Sequence, residues 1–325
     1  MQAFEYANPT TVKDATALLG ASWDDAAILA GGTDLISLMK EGIYAPKRVV
    51  NIKSIKELSG IGRSGSNVRI GATVTFDDLL SNAVVREFPA LTEAARGVAS
   101  PQIRNMGTVA GDLTQRPRCW YYRQGYGLLA MQNGKSLVPN GENRYHAIFG
   151  SDPAYFVSAS SLGPALIALG AKVKVAGPSG NREIPVEKFF VVPQNDTQRE
   201  IDLKPNEIIT EILIPQDKAL KSATYELRER AALDWPIAAA SVALKMSGNT
   251  VSSARVVLGH VGPTPHIATE AEKMLAGKSI DAALAEQVGA AAVANAKPLS
   301  QNGYKVQLAK VAVKRALLSA AGVKA

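Results

Sequence analysis

The sequence predicts an α+β fold in which helices and strands are mixed along 325 residues. Three observations favour it. First, a short apolar run at 26–29 is followed by a glycine turn and by apolar residues at helical spacing. Second, strand-like runs recur at 172–176 and 207–215. Third, two alanine-rich helices close the chain. A polar stretch at 216–222 separates the last elements from the rest. Two domains are therefore expected, and a chain of this length can bury both cores.

The first 55 residues predict a small α/β lobe. A strand is expected around Phe4 and Tyr6. Thr11 begins a pattern typical of a capping box, with Asp14 three residues later, so a helix should extend to about Leu19. The strand at 26–29, a helix ending near residue 41 and a further strand at 48–52 complete the lobe.

The glycine turn joins the strand at 26–29 to the next helix. Gly31 and Gly32 are followed by Thr33 and Asp34. Glycines let the backbone approach an anion closely, a helix start offers unpaired N–H groups, and the Thr33 hydroxyl is a further donor, so the turn suits a phosphate. The alternative is a tight turn in which Thr33 or Asp34 caps the helix. The turn alone leaves both interpretations open.

A second glycine cluster, from Gly60 to Gly65, has the spacing of a dinucleotide-binding fingerprint. That fingerprint needs a strand before it and a helix after it. Here a helix-like segment at 55–58 comes first and a strand-like run at 68–72 follows. The prediction is a turn between strands, with the dinucleotide fingerprint as the alternative.

A further stretch, Ile103 to Leu113, again combines small residues with a threonine and an aspartate. Together with Ala30 to Leu35, it resembles the FAD-binding subunit of the molybdenum hydroxylases, the family of xanthine dehydrogenase, aldehyde oxidoreductase and carbon monoxide dehydrogenase. The two motifs have the separation that is usual in the family. The resemblance extends from Phe4 to about Leu318.

This resemblance implies a specific form of the α+β fold. A two-part FAD-binding domain of the PCMH (vanillyl-alcohol oxidase-like) type is expected over residues 1–216, with a small α/β lobe at 1–55, a larger lobe at 56–216 and an insertion at 115–150. A smaller α/β C-terminal domain of the CO dehydrogenase flavoprotein type is expected over residues 222–325.

The resemblance also implies the cofactor contacts. Ala30 to Asp34 would surround the FAD pyrophosphate, Thr108 and Asp112 would bond phosphate or ribityl oxygens, and Ile209 would lie near the flavin edge. The full set of expected FAD-binding residues is Leu29, Ala30, Gly31, Gly32, Thr33, Asp34, Leu35, Asn105, Gly107, Thr108, Ala110, Gly111, Asp112, Ser161, Ile209 and Tyr225. No catalytic side chain is expected, since a flavin performs the electron chemistry while the protein binds, orients and tunes it.

Two departures from the family pattern stand out. Relatives commonly carry a Ser-Asp pair whose carboxylate reaches the ribityl chain, and the matching residues here are Ser160 and Ser161. A serine hydroxyl could still bond a ribityl hydroxyl, and Asp152 is a candidate substitute for the carboxylate. A stretch with Tyr225, Arg228 and Arg230 resembles a motif of the family, and within it Leu227 replaces a lysine found near the flavin in several relatives.

The insertion at 115–150 has little periodicity and is rich in glycine, asparagine and aromatic residues. We expect it to be ordered, because its aromatic side chains can pack. It resembles the insertion that carries cysteines around a [4Fe-4S] cluster in some relatives. Cys119 is the single cysteine of this chain, and a cluster needs several thiolates. No iron-sulfur cluster or cysteine-rich metal site is therefore expected here.

Other candidate chemistry has simpler explanations. His260 and His266 flank a proline turn without further ligands at metal spacing, so structural roles are expected. No serine lies in a Gly-x-Ser-x-Gly elbow, and His146 is a distant candidate base for Cys119, which makes hydrolase chemistry a poor fit. Arg104 and its neighbour Asn105 can also be explained as residues that fix their loop.

Composition excludes further classes. The 36 Lys and Arg residues against 29 Asp and Glu give a formal net charge of +7. The basic residues are dispersed and not interleaved with aromatic residues, so no nucleic-acid partner is expected. No apolar run approaches the roughly 20 residues of a membrane span, and the first residues lack a signal-peptide pattern. A cytoplasmic location is expected, with periplasmic export alongside a signal-bearing partner as the alternative.

The resemblance implies an FAD-dependent oxidoreductase subunit of a heterotrimer. A dimer of two such heterotrimers is also compatible with the resemblance. A large partner would hold the molybdopterin cofactor and oxidise the substrate, and a small partner would carry [2Fe-2S] clusters that pass electrons to FAD in this chain and on to an external acceptor. Two alternatives stay open: a stand-alone flavin oxidase of the vanillyl-alcohol type, and a scaffold subunit that has lost FAD.

Overall fold

The computed structural model describes residues 1–150, 152–231 and 233–324. The strands are β1 (Glu5–Ala7), β2 (Ala26–Leu29), β3 (Arg48–Asn51), β4 (Ile61–Ser64), β5 (Asn67–Gly71), β6 (Met131–Gln132), β7 (Lys135–Ser136), β8 (Lys172–Gly177), β9 (Gly180–Pro185), β10 (Ile208–Pro215), β11 (Leu220–Leu227), β12 (Ala238–Ser247), β13 (Thr250–Gly259) and β14 (His266–Ile267). The α-helices are α1 (Val12–Ala17), α2 (Leu35–Lys40), α3 (Phe76–Ser81), α4 (Pro89–Gly97), α5 (Pro101–Met106), α6 (Val109–Thr114), α7 (Trp120–Arg123), α8 (Leu162–Ala168), α9 (Val186–Phe189), α10 (Thr269–Leu275), α11 (Ala282–Ala292) and α12 (Tyr304–Ala321).

The first lobe is a three-stranded parallel sheet in the order β1-β3-β2. Thr11 caps the first helix: its Oγ1 accepts the Asp14 N–H at 3.1 Å and donates to the Asp14 carboxylate at 2.7 Å. Among the described residues, the Asp14 carboxylate does not accept the Thr11 N–H, so only half of the predicted capping box forms. Strand β2 ends at Leu29, and the glycine turn leaves its carboxyl end. In open parallel sheets, that end is the usual place for a ligand.

The larger lobe is built on a five-stranded antiparallel sheet in the order β4-β5-β10-β8-β9. The predicted strand at 207–215 is its central strand β10, in which Ile208, Ile209, Ile212 and Ile214 are buried. The cluster from Gly60 to Gly65 runs through strand β4 into the turn before β5, with no helix after it. The prediction of a turn between strands is confirmed, and the dinucleotide fingerprint is excluded.

The C-terminal region forms a four-stranded antiparallel sheet in the order β11-β12-β13-β14, covered by α10, α11 and α12. Most of its buried apolar side chains form a second core, while Ala243 and Val257 join the continuous core that the two N-terminal lobes share. Helix α12 ends at Gly322, whose φ of 75° gives the left-handed geometry that favours glycine. The α+β fold predicted from the sequence is confirmed.

The sequence of residues 154–158 also predicts a strand, but this segment joins no sheet, because its backbone bonds loops instead: the Ala147 N–H donates to Tyr155 O and the Ser158 N–H to Gly262 O. The stretch from Ile103 to Leu113 contains two short helices, α5 and α6. Within the described ranges, no helix has the length and apolar character needed to cross a membrane.

The insertion is ordered, as expected. Its buried side chains, among them Cys119, Tyr122 and Leu128, form a small core that also includes Leu38 of helix α2 and Phe156. Trp120 contacts Tyr145 edge to face, with ring centroids 5.7 Å apart. Tyr122 thus packs the insertion against the first lobe, and the contact between Trp120 and Tyr145 lies within the insertion itself.

Candidate functional site

A cavity of about 810 Å³ lies at the carboxyl end of β2. Its walls come from the glycine turn, from the stretch that contains α6, from the insertion and from the segment that enters β10. The volume falls in the range of roughly 300–1,000 Å³ that is typical of small-molecule and cofactor sites. The cavity therefore brings together parts of the chain that are far apart in sequence.

The glycine turn packs directly against the end of α5. A Cβ atom on Gly31 would overlap the carbonyl oxygen of Met106, so only glycine permits this approach. Gly32 has a φ of 74°, in the left-handed region. The glycines are thus explained by the geometry of the two motifs, which form one wall of the cavity.

The turn presents backbone donors that the protein does not use. In the part of the chain that the structure describes, the N–H groups of Gly31, Gly32, Thr33 and Asp34 donate no hydrogen bond. These residues line the cavity. Successive free N–H groups at a turn are the usual means of binding an anion with the backbone.

Asp34 occupies the N-cap position of α2 but makes no side-chain capping bond, so the capping alternative is wrong for this residue. Its carboxylate binds the insertion instead. Oδ1 accepts from Arg118 Nη1 at 2.7 Å and from Arg123 Nη2 at 2.8 Å, and Oδ2 accepts the Arg116 N–H at 2.8 Å. Burial raises the pKa of Asp34, but the two guanidinium groups outweigh it and hold the pKa below its usual value.

The second stretch is held rigidly by segment 72–76. The N–H groups of Val109 and Ala110 donate to the carbonyls of Val74 and Ala72, at 2.9 and 3.3 Å. The Thr108 hydroxyl accepts the Gly111 N–H at 3.2 Å and caps α6. Most backbone N–H groups of this stretch are therefore already paired. The stretch forms part of the cavity wall, to which it adds the Thr108 side chain.

Asp112 is 5% exposed and binds the start of α8. Its carboxylate accepts from Ser160 Oγ at 2.5 Å and from the N–H groups of Leu162 and Ser161 at 2.9 and 3.2 Å. Burial raises the pKa of Asp112 to about 6, although these hydrogen bonds oppose the rise. Ser160 and Ser161, which stand where relatives carry a Ser-Asp pair, therefore lie against the carboxylate of Asp112. Asp152, the substitute considered from sequence, is exposed and outside the cavity wall.

Most of the residues expected from sequence meet at this cavity. Those in its wall are Ala30, Gly31, Gly32, Thr33, Asp34, Leu35, Gly107, Thr108, Ala110, Gly111, Asp112, Ser161 and Ile209.

Three expected residues lie elsewhere. Leu29 pairs with Asn51 within the sheet, and Asn105 is exposed on α5. Tyr225 lies in β11, where its hydroxyl accepts from Arg315 Nη1 at 2.7 Å, within the C-terminal domain. Arg104 fixes its loop, as considered, by donating to Val98 O at 2.9 Å.

The cavity also has a cationic wall that sequence reasoning missed. Arg116 and Arg118 come from the insertion, and Arg199 stacks over the ring of Trp23 with its guanidinium carbon 4.5 Å from the centroid. Glu200 lies 3.2 Å from Arg116 and 3.5 Å from Arg199. The closely spaced arginines that begin at Arg116 are the sequence feature that could have predicted this cationic wall. Guanidinium groups and free N–H groups together suit a ligand with an anionic centre.

Cys119 and His146, which the sequence presents as a thiol and a distant candidate base, are neighbours in the fold. Cys119 Sγ lies 3.1 Å from His146 Nε2, because the insertion folds back on itself. Burial raises the pKa of the thiol and lowers that of the imidazole to about 4. The pair is therefore a neutral thiol and imidazole, without the thiolate that nucleophilic catalysis requires.

The other two histidines have the structural positions expected. His260 is 3% exposed, and burial lowers its pKa to about 3. His266 stacks on Phe149 with ring centroids 3.8 Å apart. Among the described residues, no group of three or more His, Cys, Asp and Glu side chains is placed to hold a metal ion.

The chain matches two protein-family models. The model described as the FAD binding domain in molybdopterin dehydrogenase matches residues 2–217, and the CO dehydrogenase flavoprotein C-terminal domain matches residues 223–320. The carbon monoxide dehydrogenase medium chain of Hydrogenophaga pseudoflava is 33% identical over 98% of this chain and 96% of its own length. The aldehyde oxidoreductase FAD-binding subunit of Escherichia coli is 29% identical, over 95% and 96%.

A solved structure shows the same similarity. Carbon monoxide dehydrogenase from Hydrogenophaga pseudoflava, in a form that lacks the Mo-pyranopterin moiety, contains a chain that superposes with a TM-score of 0.78. The superposition covers 98% of this chain and 97% of the other, at 31% sequence identity.

Proposed function

Because this chain belongs to the FAD-binding subunits of the molybdenum hydroxylase family, we propose that it is the electron-transfer subunit of a heteromeric dehydrogenase. It binds FAD and connects [2Fe-2S] clusters on a small partner subunit with an external acceptor. Substrate oxidation takes place on a large partner subunit that holds the molybdopterin cofactor.

The observation that carries this proposal is the glycine turn, whose four unused N–H groups belong to residues that line a cavity of about 810 Å³. The residues fit FAD. Gly31, Gly32 and Thr33 would hold the pyrophosphate through their backbone, and Ser161 and Thr108 offer hydroxyl groups for the ribityl chain. Ile209 provides an apolar wall for the ring system. When bound, FAD supplies one-electron and two-electron chemistry.

The protein's own residues position the cofactor and exclude water. Arg118 and Arg123 fix Asp34 and with it the glycine turn, while the buried Asp112 fixes the start of α8 and the adjacent Ser161. None of these groups needs to act as an acid or base on a substrate. We accordingly assign no catalytic residue to this chain.

The assembly is part of the same proposal. Relatives are described as medium chains and FAD-binding subunits, which supports a heterotrimer with large and small partners, and a dimer of such heterotrimers suits the same scheme. We also propose that the FAD-binding domain spans residues 1–216 and the C-terminal domain residues 222–325. The cytoplasm is the proposed location.

Purification of the full chain from its native host through an affinity tag tests the proposal. We expect two copurifying subunits, molybdenum, and iron in the amount of [2Fe-2S] clusters, together with FAD that a substrate of the complex reduces. If FAD in the isolated chain were instead reduced directly by a small-molecule substrate, the stand-alone oxidase would be the correct function. A chain without FAD or partners would support the scaffold.

A further inference from the structure

A second cavity, of about 370 Å³, lies beside the first one. Arg118, Asp234, Trp235 and Pro236 line both cavities and form the wall between them. The smaller cavity lies between the insertion and the start of the C-terminal domain. Its volume suits a small ligand rather than a dinucleotide.

Aromatic side chains form much of this second cavity. Trp120 and Tyr145 meet edge to face at one side, and Trp235 lies at another, with the Arg118 guanidinium carbon 4.8 Å from its ring centroid. Val157 and Ala159 add apolar surface. Walls of this kind favour a flat apolar ring, which gains by edge-to-face or stacked contact with its neighbours.

A buried cation lines the same cavity. Lys305 is 1% exposed, and its ammonium group donates to three backbone carbonyls, those of His260, His146 and Tyr145, at 2.9, 3.1 and 3.2 Å. No carboxylate of the described residues lies within ion-pair distance of it. Burial lowers the pKa of Lys305 to about 7. A buried charge without a counter-ion is costly, so an anion in the cavity would stabilise the ammonium form.

Two buried imidazole nitrogens there also lack partners. His146 Nδ1 and His260 Nε2 form no hydrogen bond within the described part of the chain, although both side chains are only 3% exposed. His146 Nε2 faces Cys119 Sγ, so a thiol proton donated to it would leave the hydrogen on Nδ1 as a free donor. Buried polar groups in native proteins are normally paired, which indicates that a ligand or water completes this site.

The acidic residues of the cavity are already satisfied. Glu229 is exposed at the rim and accepts from the Tyr145 hydroxyl at 2.9 Å. Asp234 accepts the N–H groups of Arg230 and Trp235 at 3.2 and 2.9 Å. Glu229 belongs to the mouth of the cavity, and Asp234 is held by backbone N–H groups in the wall that the two cavities share. Lys305 is the buried one among the charged side chains that line the cavity in the described part of the chain.

We propose that this second cavity binds a small aromatic carboxylate. The ring lies among Trp120, Tyr145 and Trp235, and the carboxylate faces the side on which Lys305 and the two unpaired imidazole nitrogens are placed. This site is separate from the proposed FAD site and does not depend on it, although an occupant would touch the wall that the two cavities share.

Calorimetric titration of the full chain tests this site with two probes of equal shape, benzoate and its neutral analogue benzamide. Excess FAD is present throughout, so that the larger cavity is not available to the probes. We expect benzoate to bind saturably at one site and about tenfold more tightly than benzamide, because a single charge interaction at this depth is worth about that factor.

Variants identify the cavity. Lys305→Met should remove the preference for benzoate, whereas Lys314→Met, on the same helix but paired with Glu286 at the surface, should retain it. Trp120→Ala, which removes no buried charge, should lower the affinity for both probes by a similar factor and keep the preference for benzoate. Equal binding of benzoate and benzamide to the wild-type chain, no saturable benzoate binding, or an unchanged preference in Lys305→Met would overturn the proposal.

Discussion

Asp34 Oδ1 lies 2.7 Å from Nη1 of Arg118, a residue 84 positions further along the chain. This ion pair joins the glycine turn to the insertion, and Arg123 adds a second guanidinium to the same oxygen. The side chains of Asp34 and Arg118 are 16% and 27% exposed. The insertion, which has a single cysteine and resembles a cluster-binding segment in some relatives, therefore has a structural role at the cofactor cavity.

Replacement of Asp34 by asparagine should weaken FAD binding by roughly tenfold and lower the free energy of unfolding by about 2–4 kcal/mol. Removing one partner leaves partly buried guanidinium groups without their counter-charge. Fluorescence titration with FAD and urea denaturation measure the two effects. Asp25→Asn, which removes an exposed ion pair with Lys47, is the control and should leave both quantities unchanged. FAD affinity at the wild-type level in Asp34→Asn would contradict this role.

Substitution of Gly31 by alanine should disturb the cavity by overpacking. The added methyl group would overlap the Met106 carbonyl, so the two motifs must move apart, at a cost of about 1–3 kcal/mol. Thermal unfolding and FAD retention after gel filtration report the change. Gly62→Ala is a matched control, because its Cβ would meet no atom within 4 Å and its φ is not positive. If both variants retained FAD equally, the close approach would have no part in binding.

The buried carboxyl group of Asp112 predicts a specific dependence of stability on pH. Burial raises its pKa in the folded chain to about 6, well above the ordinary value of an aspartate, so the folded state holds a proton that the unfolded state releases. Between about pH 4 and 6, this group therefore makes the free energy of unfolding fall as the pH rises, by about 2–3 kcal/mol in total. The difference in unfolding free energy between the wild-type chain and Asp112→Asn, measured by urea denaturation across this range, should show that fall. A pH-independent difference would contradict it.

Cys119 should be unreactive in the folded chain. Its thiol is buried, and burial raises its pKa, so both access and thiolate content are low. Titration with a chromogenic disulfide reagent at pH 8 should label the thiol slowly in buffer and stoichiometrically in denaturant. Cys119→Ala should give no labelling in either condition. Rapid stoichiometric labelling of the native chain would show that the thiol is accessible.

Local patterns were sufficient to predict much of the fold. The helix cap at Thr11, the buried central strand that contains Ile209 and the turn after Leu29 depend on neighbouring residues, whose spacing is visible in the sequence. Thirteen of the residues expected around the cofactor line the cavity, because they lie in two compact motifs and the segments packed against them.

Long-range pairing accounts for what sequence reasoning missed. The contact of Cys119 with His146 and the cationic wall of Arg116, Arg118 and Arg199 depend on how an aperiodic insertion folds back. Tyr225 was expected to bind the cofactor, but its position in β11 directs its hydroxyl to Arg315 rather than to the cavity. No local periodicity specifies such contacts.

The amount of FAD released from the purified full chain, with iron measured on the same sample, tests the central claim most directly. The account predicts about one FAD per chain and no stoichiometric iron, since the cavity suits the dinucleotide and the chain has a single cysteine. A colourless chain that does not bind added FAD, or one that retains stoichiometric iron, would contradict it.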